Sequence, residues 1–311
     1  MMKIWCGFIS LLLFIFSVFL HAPISAAADV PFILTDDRGR SVRLNHFARR
    51  IISLSPNITE LVFAAGAGDK LVGVSSYSDY PDDAKLIPGI GDSSSLDLER
   101  IVALKPDLVI AWGSGNKVSD IDKLERLGLT VFVTEATNLE DISRLLQKIG
   151  KLAGTLTIAE LVASSYDIEL QKIKQRYQSR KQVGVLYLIW HQPLMTVSGN
   201  HIISDIINIC GGINVFAAAS SLTLVISAES LLEANPQIII SSMPLVSPET
   251  GARELWHRFP HIRAVRNHNL FFVHPDLILR QTARMLKATK TVCEQIESAR
   301  SKQEKREFSV E

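Results

Sequence analysis

Neither sign of charge prevails in this chain: 33 Lys and Arg stand against 32 Asp and Glu over 311 residues. That balance argues against nucleic acid or an anionic membrane surface as a partner. Catalytic signatures are missing too. There is no nucleophile elbow and no phosphate loop. Gly113-Ser114-Gly115 follows a predicted strand, but Val118 stands where a dinucleotide fingerprint needs its third glycine. His257 and His261 have the spacing of a zinc pair, but Pro260 between them breaks the helix that would put them on one face. These gaps argue against a secreted metal-dependent or other enzyme, and no resident cofactor or metal is expected. Past the N-terminal segment, no apolar run is long enough to span a bilayer.

The one long apolar run, residues 4–20, follows Lys3 and precedes the small residues Ala22-Pro23-Ile24-Ser25-Ala26-Ala27-Ala28. This is the pattern of a secretion signal, with cleavage expected near Ala27/Ala28 and a periplasmic destination. The competing reading is an uncleaved membrane anchor of the same length. Cysteine is scarce as well. Cys6 lies inside the apolar run, far from the cleavage region, so lipid modification is not expected. Removing residues 1–28 leaves 32 basic and 32 acidic residues and two cysteines, Cys210 and Cys293. An isolated pair in an oxidising compartment either bridges or stays as two buried thiols, and spacing alone does not choose.

What the chain does have is one motif twice. Residues 98–112 and 228–242 each place a glutamate, Glu99 or Glu229, seven residues before a proline, Pro106 or Pro236, followed by an all-apolar run. A capping residue, Asp97 or Ser227, precedes each glutamate, and a carboxylate in a first helical turn is favoured by the helix dipole. The proline ends the helix, and the apolar run reads as a strand covered on both faces. Two copies imply two similar lobes.

Around the copies, strands alternate with helices, so the sheets are expected to be mostly parallel. A hairpin is predicted over 32–44, turning at Asp37-Arg38-Gly39. Strands follow at 51–54, 71–75 and 129–134, with helices at 58–65 and 118–127. Residues 155–179 lack Pro and Gly and repeat apolar residues at Ile158, Leu161, Val162, Tyr166, Ile168, Leu170, Ile173 and Tyr177. At about 1.5 Å per residue this predicts a strut of roughly 35 Å between the lobes. The second lobe has strands at 183–189 and 270–273, helices at 202–209 and near 251–258, and a terminal helix at 281–299. The domains are thus 1–28 signal, 29–153 first α/β lobe, 154–180 connecting helix, 181–299 second α/β lobe, and 300–311 flexible tail.

Open parallel sheets bind ligands at the C-terminal ends of their strands. Those ends carry Ser55-Pro56-Asn57, Tyr77 and Tyr80, Trp112, and Trp190-His191-Gln192-Pro193. With aromatics scarce at 7% of the chain, several at strand exits suit a large flat ligand.

Arg50-Ile51-Ile52-Ser53-Leu54-Ser55-Pro56, Ser75-Ser76-Tyr77-Ser78-Asp79-Tyr80-Pro81 and residues 98–112 together resemble the periplasmic cobalamin-binding proteins of ABC importers. These sit within the wider siderophore, haem and cobalamin class. The resemblance runs over about residues 32–298 and is looser in the second lobe, where Cys210-Gly211-Gly212-Ile213-Asn214-Val215-Phe216 anchors it. It implies two three-layer α/β lobes joined by one long rigid helix, with cobalamin or a related corrinoid between them as transported ligand. It implies ligand contacts at Pro56, Asn57, Tyr77 and Trp112, and at Trp190 on the opposite lobe, where the best-known member has a different aromatic; His191 beside it is a candidate contact from its place at the strand exit. It implies docking of Glu99 and Glu229 on the permease subunits, a Cys210–Cys293 bridge, and action as a monomer. Three tryptophans of the best-known member are replaced here by Ser93, Thr223 and Leu277. Haem or a ferric siderophore on the same scaffold is the alternative, with Tyr77 and His191 as the residues that suit haem.

Overall fold

The computed structural model describes residues 31–245 and 252–308. The expected signal segment and its cleavage point lie outside them. The chain begins with the antiparallel hairpin β1 (Phe32–Thr35) and β2 (Ser41–Leu44), which turns at Gly39 with a left-handed φ of 79°. The first lobe continues through β3 (Ile51–Ser53), α1 (Pro56–Ala64), β4 (Leu71–Val74), α2 (Leu98–Ala103), β5 (Leu108–Trp112), α3 (Val118–Arg126), β6 (Val131–Thr134) and α4 (Glu140–Ala153). Its four core strands run parallel in the order β4-β3-β5-β6.

The connecting helix α5 spans Leu156–Tyr177. The second lobe follows with β7 (Val183–His191), β8 (Leu194–Val197), α6 (Ile202–Ile209), β9 (Gly212–Asn214), β10 (Thr223–Val225), α7 (Ala228–Ala234), β11 (Ile238–Ser241), α8 (Ala252–His257), α9 (Arg263–Arg266), β12 (Leu270–Phe272), α10 (Pro275–Ile278) and α11 (Met285–Phe308). Its parallel strands take the order β9-β7-β11-β12. This is the first lobe's order again, strand for strand. The second lobe adds an antiparallel pair, β8 and β10, on the extended end of β7.

The repeated motif has one local geometry in both lobes. Asp97 accepts from the Arg100 backbone N–H at 2.9 Å, and Ser227 accepts from that of Ser230 at 3.1 Å, so each helix start is capped. Each helix ends on a left-handed residue, Lys105 at φ 46° and Asn235 at φ 38°, directly before its proline. The buried strands β5 and β11 follow.

One apolar core runs through both lobes and along α5. Separate clusters pack the opposite sheet face of each lobe, giving three layers apiece. The buried side of α5 is Ala159, Ala163, Tyr166, Leu170, Ile173 and Tyr177. Ile158, Leu161 and Ile168, expected on that side, are exposed. The reason is α4, a helix the sequence reading missed. Gly150 of α4 comes so close to Ala159 that a Cβ there would collide with it, and so close an approach selects alanines for the buried stripe. Gly154, with a φ of 73°, ends α4 and turns the chain into α5.

Cys210 at the end of α6 and Cys293 in α11 form a disulfide, both fully buried. The terminal helix runs on to Phe308, past the expected end at 299. Arg300 on it is buried and donates to the Lys181, Cys210 and Gly211 carbonyls, which ties this stretch to the lobe. Among the described residues no helix is long and apolar enough to cross a membrane. His257 closes α8 and His261 follows Pro260 in a turn, so the two do not share a helical face.

Candidate ligand cleft

The two sheets present their C-terminal strand ends to a cleft between the lobes. In the first lobe that edge forms a cavity of about 230 Å³, lined by Pro56, Tyr77 and Trp112 together with Ser55, Asn116 and the 92–94 turn. Three of the expected contacts therefore converge. Pro56 is there because it opens α1, where its fixed φ suits the first helical turn. Asn57 is not on the wall. It is buried, and its Oδ1 accepts from the Ser55 hydroxyl at 2.5 Å, so it braces the loop from inside.

Tyr77 is 77% exposed and has a φ of 66°. An aromatic residue held in the left-handed region costs of order 1–3 kcal/mol, and such strain concentrates at ligand clamps. The loop is held from below by buried hydroxyls: Thr59 Oγ1 donates to Ser53 Oγ at 2.9 Å and pairs with Ser78 Oγ at 2.9 Å. The second lobe holds it from the side. Arg280 donates to the Tyr77 carbonyl at 3.3 Å, to Asp79 at 2.6 Å and to Glu60 at 3.0 Å. Arg284 donates to Glu60 at 2.9 Å and lies over the Tyr80 ring at 4.0 Å. The Arg280 hydrogen bond holds the Asp79 carboxyl below the ordinary carboxylate range. Both arginines at the cleft are therefore occupied by carboxylates of the protein.

Trp112 ends β5 and forms the wall between two cavities. Gly115 lies against its indole so closely that a Cβ there would overlap the ring. Gly115 is thus the seat of this aromatic side chain. Asn116 accepts from the Trp112 N–H at 2.7 Å and donates to the Leu54 carbonyl at 3.1 Å, fixing the strand end. The second cavity, about 240 Å³, lies between the lobes. The first lobe gives it Trp112, Glu135 and Thr137; the second gives it Asn200, His201 and Gln281. Burial lowers the His201 pKa to about 4.

The sequence reading missed Glu135 and His201. Glu135 directly follows β6, and the strand-end rule that found Trp112 reaches it equally. His201 is the N-cap of α6, its Nδ1 accepting from the Ile203 N–H at 3.1 Å. Ser93 sits in a tight turn. Asp92 at its start is held below the ordinary carboxylate range by the Ser94 hydroxyl at 2.5 Å and the Ser94 and Ser95 N–H groups.

Trp190 and His191 are at the tip of the β7–β8 hairpin and line neither cavity. Trp190 is half exposed, with its indole N–H on the Gln192 carbonyl at 2.9 Å. The His191 ring lies 5.6 Å from it, and His191 Nδ1 is buried without a hydrogen-bond partner. Glu99 and Glu229 are exposed at matching helix starts of the two lobes. The Ser227 hydroxyl, with the N–H of Glu229 itself, keeps the Glu229 carboxyl below its ordinary range.

A family model described as periplasmic binding protein matches residues 51–277. A vitamin B12-binding protein of Vibrio campbellii is 33% identical over 256 residues, covering 82% of this chain and 92% of that protein. The crystal structure of the periplasmic vitamin B12-binding protein of Vibrio cholerae superposes with a TM-score of 0.75 at 32% identity, over 81% of this chain and 98% of that one. A periplasmic haem-binding protein from Roseiflexus sp. RS-1 gives a TM-score of 0.70 at 23% identity, over 81% and 99% of the two chains, a likeness of fold alone.

Proposed function

The chain belongs to the periplasmic binding protein family, non-enzymatic capture components of ABC importers, and on that premise we propose that it binds cobalamin or a related corrinoid in the periplasm and hands it to a permease. The observation that carries the choice of ligand is the charge of the cleft. Among the described residues, no lysine or arginine lines either cavity, and the charged groups that do are the carboxylates Asp92 and Glu135. Arg280 and Arg284 are already committed to Glu60, Asp79 and Asp276. Haem propionates and anionic siderophores need cations to meet them. A corrinoid, with a flat ring and amide arms, needs aromatic surface and neutral polar groups, and the cleft has these in Tyr77, Trp112, the serines, Asn116, Asn200 and Gln281. The vitamin B12-binding relatives point the same way.

The protein acts as a monomer, with Glu99 and Glu229 as a symmetric pair landing on arginines of two permease subunits. Trp190 and His191, at the rim of the second lobe, close over the ligand's outer edge. Titration calorimetry with cyanocobalamin tests the reading: it gives one-to-one binding, and Tyr77→Ala and Trp112→Ala each weaken it by about 1–3 kcal/mol through lost stacking and apolar area. Absence of heat with any corrinoid would overturn it.

A further inference from the structure

The inter-lobe cavity has an acceptor on one wall and a donor on the other, and each has its role fixed by the fold. Glu135 Oε1 takes the Trp112 indole N–H at 3.2 Å and the Ser114 hydroxyl at 3.1 Å, while Oε2 takes the Ser114 backbone N–H at 2.6 Å. A carboxylate has about four lone-pair sites, so Oε2 keeps one for a ligand donor. Opposite, His201 Nδ1 accepts a backbone N–H at the start of α6. That nitrogen therefore carries the lone pair, and a neutral imidazole must hold its proton on Nε2. Burial keeps the ring neutral, with a pKa of about 4, so it is a fixed N–H donor throughout the neutral range.

We propose that Glu135 and His201 together read the primary carboxamide at the end of one of the ligand's propionamide arms, its carbonyl accepting from His201 Nε2–H and its NH2 donating to Glu135 Oε2. A group with acceptor and donor side by side satisfies both walls. A carboxylate in the same place satisfies His201 but meets Glu135 as a like charge, and no cation lines the cavity to offset it. The pair thus discriminates an amide from the acid that differs from it by one hydrogen-bonding group. Sites built to hydrogen-bond a specific group reject the analogue that lacks it. This inference rests on the corrinoid reading, because a corrinoid carries primary amides along its edge where haem carries carboxylates.

The test compares cyanocobalamin with its three propionamide-derived monocarboxylic acids by titration calorimetry. The parent protein binds at least one acid about tenfold to a hundredfold more weakly than cyanocobalamin, the scale of one hydrogen bond to a charged group. Glu135→Gln brings that acid and cyanocobalamin together in affinity and leaves the other two ratios unchanged. His201→Asn keeps the helix cap, because asparagine also caps, but is too short to reach the ligand, and it loses about tenfold for cyanocobalamin. Thermal melts establish that both variants fold. If cyanocobalamin binds but all three acids bind equally well, or the acid penalty survives Glu135→Gln, the pair does not read an amide and the corrinoid reading stands. If no corrinoid binds, that reading and this one fall together.

Discussion

Lowering the pH should destabilise this protein through His201, and the size of the effect follows from its surroundings. The ring is largely buried and its Nδ1 must stay unprotonated to cap α6. Burial lowers its pKa from 6.5 to about 4. A base with a depressed folded pKa binds fewer protons folded than unfolded between those values. Stability is therefore complete above pH 6.5 and is lost as the pH falls towards 4. With these two values, linkage gives up to about 2 kcal/mol lost between pH 7.5 and pH 5, before any discount for the exposed part of the ring. The assay is urea unfolding at pH 7.5, 6.5, 5.5 and 5.0 for the parent and for His201→Asn. Other titrating groups are common to both proteins, so the difference between the two curves isolates this side chain. The parent should lose about 1–2 kcal/mol more than the variant over that range. Parallel curves would mean that His201 is protonated as readily folded as unfolded, and the fixed N–H donor in the cleft would be refuted with it.

Breaking the disulfide by Cys210→Ala and Cys293→Ala should cost about 4.5 kcal/mol in the chain-entropy model for an 83-residue separation, read as a shift in urea midpoint. An unchanged midpoint would show that the α6–α11 packing is sufficient alone. Glu60→Gln removes the charge shared by Arg280 and Arg284 and should cost about 2–3 kcal/mol, near the low end for a broken buried pair because Arg280 keeps Asp79 and Asp276. It should also weaken ligand binding, since the Tyr77 loop loses part of its anchor. Binding equal to the parent would separate the ion cluster from the site. Changing Glu99 and Glu229 together to Lys should leave cyanocobalamin affinity intact and abolish uptake in reconstituted vesicles, whereas unchanged uptake would make both residues simple helix-start carboxylates.

The repeated motif was the most legible part of the sequence. Its caps, its acidic first turns and its helix-ending prolines are local, and local chemistry survives folding unchanged. It carried the two-lobe architecture, and the Pro- and Gly-free periodicity of 155–179 carried the strut. Helix α4 was not legible. It lies between two stronger patterns, and the signal that closes it, Gly154, coincides with the expected start of the connecting helix. The exposed Leu161 and Ile168 of α5 show the limit of periodicity, because the buried stripe was set by how closely Gly150 lets α4 approach. In the cleft, aromatic residues at strand exits were found by size and position. Glu135 and His201 follow the same positional logic but look unremarkable as letters. What distinguishes them is the partner each acquires in the fold: the Trp112 indole for one, the α6 backbone for the other. The glycines at 113 and 115 fall short of a dinucleotide fingerprint as letters, and the fold gives each a local reason: Gly115 lies against the Trp112 ring and Gly113 against the Glu135 carboxylate.

The central claim is that the cleft between the lobes takes a corrinoid and not a haem. It is tested most directly by purifying the protein from the periplasm of cells supplied with cobalamin and haem together, and recording its absorption spectrum after exhaustive washing. Corrin bands at one equivalent per chain, with no Soret band, are the predicted result. A Soret band with no corrin absorption would contradict the account.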